Sequence, residues 1–82
     1  KAAQRILLES IAREAGPKGI HAAYVAIDAV IDLAWTREAY AGKPDDFFCR
    51  PEDIADEVFR LALQPRSAWS FESIIRPFGE VW

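Results

Sequence analysis

An α/β fold built on parallel strands is predicted by three features of this 82-residue sequence. Residues 2–15 and 51–63 carry apolar side chains at helical spacing. Residues 20–27 and 69–75 read as strands. The resulting order is helix, strand, long loop, helix, strand. A strand–helix–strand unit of this size favours two parallel strands joined by a right-handed crossover. Two parallel strands cannot cover themselves, so the segment is expected to be the edge of a larger doubly wound sheet.

Each element has its own warrant. In 2–15, Ala3, Ile6, Leu7, Ile11 and Ala15 form an apolar stripe that Ala2, Leu8 and Ala12 widen, while Glu9 and Arg13 form an i,i+4 pair on the polar side. Gly16-Pro17 is expected to stop this helix, glycine by a left-handed cap and proline by refusing to extend it. The run Ile20–Ile27 is nearly all apolar and bounded by glycine and Asp28, as suits a strand covered on both faces. After it, Thr36–Tyr40 suggests a short helix capped by Thr36, and Gly42–Asp46 is a breaker cluster. Pro51 suits a first helical position, and Glu52, Asp53 and Asp56 complement the positive end of that helix dipole. Its expected buried face is Ile54, Ala55, Val58, Phe59, Leu61 and Ala62, and Pro65 ends it. The last strand, Trp69–Ile75, leads to an aromatic tail with Phe78, Val81 and Trp82.

Composition narrows the function. A chain that is 51% apolar is not a disordered tail. Ten basic residues against thirteen acidic ones argue against nucleic-acid binding. The longest apolar run, Ala22–Ile27, is far short of the ~20 residues that span a bilayer. Cys49 is the lone cysteine and His21 the lone histidine, which leaves no internal disulfide and no cysteine metal cluster and excludes most zinc and Ser-His-Asp constellations built within the chain. So short a chain buries only ~60% of its unfolded surface. Starting at Lys1 rather than Met, it is expected to be a piece of something longer or a processed product.

Several motifs in order, Lys1-Ala2-Ala3, Ile11-Ala12-Arg13-Glu14, Gly16-Pro17-Lys18-Gly19-Ile20-His21, Ile31-Asp32, Pro51–Ala55 and Gln64–Trp69, resemble the C-terminal third of a bacterial short-chain dehydrogenase/reductase. The resemblance covers the whole chain. It implies a Rossmann-type doubly wound sheet of which this is an incomplete portion, and hydride transfer between NAD or NADP and an alcohol or carbonyl. It also implies a cytoplasmic homo-oligomer, with the glycine-rich loop and the catalytic Ser and Tyr in a missing N-terminal part. On its own the segment is expected to be inactive.

The resemblance assigns roles residue by residue. Lys1 aligns with the catalytic lysine that lowers the pKa of a tyrosine four positions earlier and holds the cofactor ribose; otherwise it is an ordinary charged residue. Asp28, Ala29, Val30, Ile31 and Leu33 align with the stretch that holds the nicotinamide carboxamide. Here Asp28-Ala29 replaces the usual Pro-Gly, and Leu33 replaces a threonine whose hydrogen bond leucine cannot make. Residues 33–48 align with a substrate lid. Its Trp35, Tyr40, Phe47 and Phe48 either shape an apolar pocket or simply pack. His21 reads as structural, Cys49 as inert, and Asp45-Asp46 and Glu52-Asp53 as turn and helix-start acids. Arg66 and Arg76 are candidates to pair with acids across an interface. The oligomer contact is expected on the helix 2–15, the edge strand 69–75 and the tail. A reading from another class is a non-catalytic interaction module using the same surfaces.

Overall fold

The structure, a computed structural model, describes residues 1–80. Val81 and Trp82, expected in the aromatic tail, lie outside the described residues. Helix α1 (Ala2–Ala15) leads through a 3-10 turn into strand β1 (Tyr24–Ile27), followed by β2 (Val30–Ile31) and helix α2 (Ala34–Ala39). A second 3-10 turn (Asp45–Phe47) enters β3 (Phe48–Cys49), then come helix α3 (Pro51–Ala62), a third turn (Arg66–Ala68) and β4 (Glu72–Ile75).

The class is α/β with short parallel strands. Strand β1 pairs in parallel with β4, setting Tyr24 opposite Glu72 and Ile27 opposite Ile75. A separate parallel pair joins β2 to β3, Val30 opposite Phe48 and Ile31 opposite Cys49. Side chains alternate across a sheet, so neighbouring residues of one strand face opposite sides. On one side Glu72 takes Arg5 of α1 at 2.8 Å. On the other, the Ser73 hydroxyl donates to Glu57 of α3 at 2.5 Å. The two helices are thus tied to opposite faces of the β1/β4 pair.

Three local expectations change. Gly16 is right-handed (φ −53°), and the left-handed residue is Gly19 at φ 86°. The fixed φ of Pro17 suits a 3-10 turn, so the chain coils through Gly16–Lys18 before glycine reverses it. Strand β1 begins at Tyr24 rather than residue 20, and β4 at Glu72 rather than 69. The approach segments are held instead by side chains. His21 stacks on Trp69 with centroids 4.6 Å apart, and its Nε2 donates to the Ser70 carbonyl at 2.8 Å. Gln64 donates to the Ser70 hydroxyl at 2.9 Å and accepts from the Ser70 amide at 2.8 Å. This supports the structural reading of His21. The cap of α2 differs as well: Leu33 is the N-cap residue, and Thr36 reaches back from inside the first turn.

The buried face expected on α3 is mostly open. Leu61 is buried and Ile54 half-buried, whereas Val58 and Phe59 are 48% and 65% exposed. The buried apolar side chains among the described residues are Phe48, Cys49 and Leu61. The four-residue strands offer too little surface to cover a whole helix face. The global dimensions agree. The radius of gyration is 15.4 Å, against ~12 Å for a compact domain of this length. The accessible surface is 6067 Å², where ~4,900 Å² is usual for this mass.

The Glu57–Ser73 bond carries a pH prediction. Hydrogen bonds from Arg60 and Ser73 bring the Glu57 carboxyl down from 4.5 to about 2. A depressed folded pKa contributes stability that is complete above the unfolded value and lost as pH falls through the folded one. Between pH 4.5 and about 2 the protein is therefore expected to lose stability more steeply than Glu57→Gln, which has no carboxyl to protonate. Denaturant midpoints across that window check it, and parallel slopes reject it.

Candidate functional site

One concavity runs the length of β1 to its carboxyl end, and a second lies beyond the carboxyl ends of β3 and β4, where open α/β sheets place ligands. The first, of about 710 Å³, runs between α1 and β1. Lys1, Gln4, Leu7 and Ile11 form its helical wall, and β1 through Ile27 and Asp28 forms the other. Lys1 stands there because α1 starts immediately after it, with the Arg5 amide donating to the Lys1 carbonyl at 3.0 Å. Lys1 and Asp28, far apart in sequence, thus share one cavity.

The second concavity, of about 630 Å³, lies beyond β3 and β4. Asp32, Arg37, Asp45 and Phe48 line one side of it, and Arg76 and Phe78 another. Asp28 and Arg76 form an ion pair that joins the ends of β1 and β4. Asp28 lines the first cavity and Arg76 the second, so this pair stands between them. Arg76 therefore has an acidic partner within the chain. The Arg66 guanidinium packs against the Gly19 turn, where an added Cβ would meet it at 3.2 Å.

The other expected cofactor residues sit elsewhere. Ala29, Val30, Ile31 and Leu33 do not line the first cavity. Val30 and Ile31 are taken into the ladder with β3. Two residues on, the Leu33 amide donates to Thr36 Oγ1 at 2.9 Å. The same buried hydroxyl lies 2.5 Å from the Ile31 carbonyl, and the Leu33 carbonyl accepts from the Arg37 amide at 2.9 Å. The polar backbone from Ile31 to Leu33 is thus used internally, by a threonine three residues beyond the position where the resemblance expects one.

The four aromatic residues of 33–48 divide. Tyr40, Phe47 and Phe48 form a packed row, with centroids 5.7 Å and 5.2 Å apart. Phe48 is buried, whereas Trp35 is 68% exposed and apart from that row. The structure also brings forward Arg37, which the sequence did not single out. It donates to Asp32 at 2.7 and 3.0 Å and to Asp45 at 2.6 Å, and it lies 4.2 Å over the Phe48 ring. Its guanidinium holds the Asp32 carboxyl below the usual range. The only sequence signal for this hub is the acid–base alternation of Asp32, Arg37 and Asp45, which ordinary surfaces also show. Burial, with help from the Asp53 and Glu80 carboxylates, pushes the Cys49 thiol up and away from the reactive thiolate.

Comparison with protein-family models, with curated proteins and with solved structures finds no match to this chain. Function therefore rests on the residues and their geometry. Among the described residues, no helix is long and apolar enough to cross a membrane. No group of three or more His, Cys, Asp or Glu among them is placed to hold a metal ion.

Proposed function

We propose that this chain is the C-terminal portion of a Rossmann-type, NAD(P)-dependent oxidoreductase of the short-chain dehydrogenase/reductase class, acting on an alcohol or carbonyl. The observation that carries the reading is Lys1. It lies at the start of a helix packed on a parallel strand, in one 710 Å³ cavity with the carboxyl end of that strand. The helices tied to opposite faces of β1/β4, and the large uncovered apolar surface, support a portion of a larger layered domain.

The cavity fits the ribose and nicotinamide end of a dinucleotide in size and in its single ammonium donor. When bound, that cofactor supplies the hydride. Lys1 would hold the ribose hydroxyls and keep a positive charge beside a tyrosine supplied by the preceding segment. That charge favours the tyrosinate, so the phenolic oxygen moves a proton to or from the substrate oxygen near neutral pH. The main chain around Asp28–Ala29 would face the nicotinamide, because Leu33 offers no side-chain donor and its amide already serves Thr36.

The test is the full-length protein. Hydride transfer from NADH or NADPH to a panel of small carbonyl compounds is expected, followed as loss of nicotinamide absorbance. No transfer, combined with no tyrosine four residues before Lys1 in the encoding gene, rejects the reading and leaves the interaction module.

A further inference from the structure

The 710 Å³ cavity ends at a turn between two sheets. Strand β1 leaves its ladder with β4 after Ile27, which pairs with Ile75, and the chain joins the separate ladder with β3 at Val30. Asp28 and Ala29 span the gap. Neither is proline or glycine, so no residue of the turn presets its backbone angles. Its described main-chain anchor is the Asp28 amide, which donates to the Ile75 carbonyl at 2.9 Å. Its side-chain anchor is the ion pair with Arg76.

The two partners are not equally held. The Asp28 side chain is 54% exposed and that of Arg76 is 15% exposed. Arg76 follows directly on Ile75, the last ladder residue of β4. Pro77 comes next, and a residue before proline is confined to extended backbone. Two residues further on, Gly79 lies so close to Asp46 that an added Cβ would overlap the Asp46 carbonyl, a backbone approach that glycine permits. A strand on one side and a docked segment on the other thus fix Arg76. The freedom lies with Asp28, and the pair removes it.

We propose that Arg76 is a positioning residue for the coenzyme: through its ion pair with Asp28 it fixes the 28–29 main chain at the end of the 710 Å³ cavity, and with it the nicotinamide. The inference rests on the oxidoreductase reading, which sets the nicotinamide against that main chain. Arg76 lines the second concavity and not the first, so it acts through Asp28 rather than on the coenzyme itself. An ion pair with an exposed partner adds little to global stability. Its leverage is on placement, since a reacting group displaced by ~1 Å can lose about 10²-fold in rate. Arginine suits the task because its guanidinium is planar and always charged.

Titration calorimetry of the full-length protein with two ligands tests it. One is the oxidised coenzyme; the other is the same molecule without its nicotinamide, ADP-ribose or, for an NADP-dependent protein, its 2′-phosphate. Arg76→Ala and Asp28→Asn are each expected to weaken the coenzyme about tenfold, the scale of one charge-assisted hydrogen bond, and to leave the nicotinamide-free ligand unchanged. The double variant should be no weaker than either single one, because both remove the same contact. Turnover should fall in the same variants, with the KM of the carbonyl substrate unchanged. Arg76→Lys keeps the charge without the planar fork and should fall between Arg76→Ala and the wild type. Equal weakening of the two ligands in Asp28→Asn would overturn the proposal. So would additive losses in the double variant, or unchanged coenzyme binding in both single ones. A wild type that neither binds coenzyme nor transfers hydride rejects the oxidoreductase reading itself, and this inference with it.

Discussion

Replacing Lys1 with alanine in the full-length protein is expected to lower turnover by about 10²–10⁴-fold, the range of a lost acid–base contribution. The limb of the pH–rate profile that reports the tyrosine should move to higher pH, because the phenol loses the cation that favours its ionised form. Lys1 is exposed and no hydrogen bond or ion pair is described for its side chain, so thermal unfolding should stay where it was. That separates a chemical role from a structural one. Lys1→Arg keeps the charge but changes shape and reach; it should retain the pH limb better than it retains turnover. A pH profile superimposable on the wild type, in a variant that still binds cofactor, would reject the role of Lys1.

Phe48→Ala is expected to carry the largest stability cost, about 3 kcal/mol, from loss of a buried ring and the cavity it leaves. Phe48 is 4% exposed, one of very few buried apolar side chains. It touches Phe47 edge-on at 5.2 Å and lies beneath Arg37 at 4.2 Å. Its backbone is in the β2/β3 ladder. One ring therefore supports an aromatic row, the Arg37 hub and a strand pairing. Phe48→Leu keeps most of the volume and should cost about 1 kcal/mol, with the ring-specific contact to Arg37 gone. Urea denaturation distinguishes the two. Equal midpoints for Phe48→Ala and the wild type would mean that this cluster does not hold the fold.

Much of the local structure was legible because it obeys short-range rules. Proline and glycine bound α1 and α3, and the apolar spacing between them marks helix whatever surrounds it. The parallel pairing of β1 with β4 was legible too, because a helix between two strands permits little else. The long loop was not. The β2/β3 ladder has two residues on each side, too few to leave a periodic signal. Helix α2 was anticipated over Thr36–Tyr40, but its start at Ala34 and its Leu33 cap were not, because six residues are too few for periodicity to fix its bounds.

The candidate site divides in the same way. Lys1 and Asp28 were each picked out, but only the packing of α1 on β1 makes them walls of one cavity. Leu33 was seen to lack a donor. That Thr36 occupies the Leu33 amide from the next turn required the folded backbone. Arg37 and Gly79 were ordinary residues until their partners came within reach.

The sequence by itself determined where α1 and α3 lie, that β1 and β4 run parallel, and which residue types were available for chemistry. Propensity, capping and patterning act over a few residues, and those are printed in the order of the chain. The tertiary structure alone decided which apolar faces stay open, where the two concavities lie, and which arginine meets which aspartate. Those outcomes depend on contacts between segments as much as 67 residues apart, as from Arg5 to Glu72. Side-chain pairing at that range is set by how helices and sheet stack, and no local pattern encodes it.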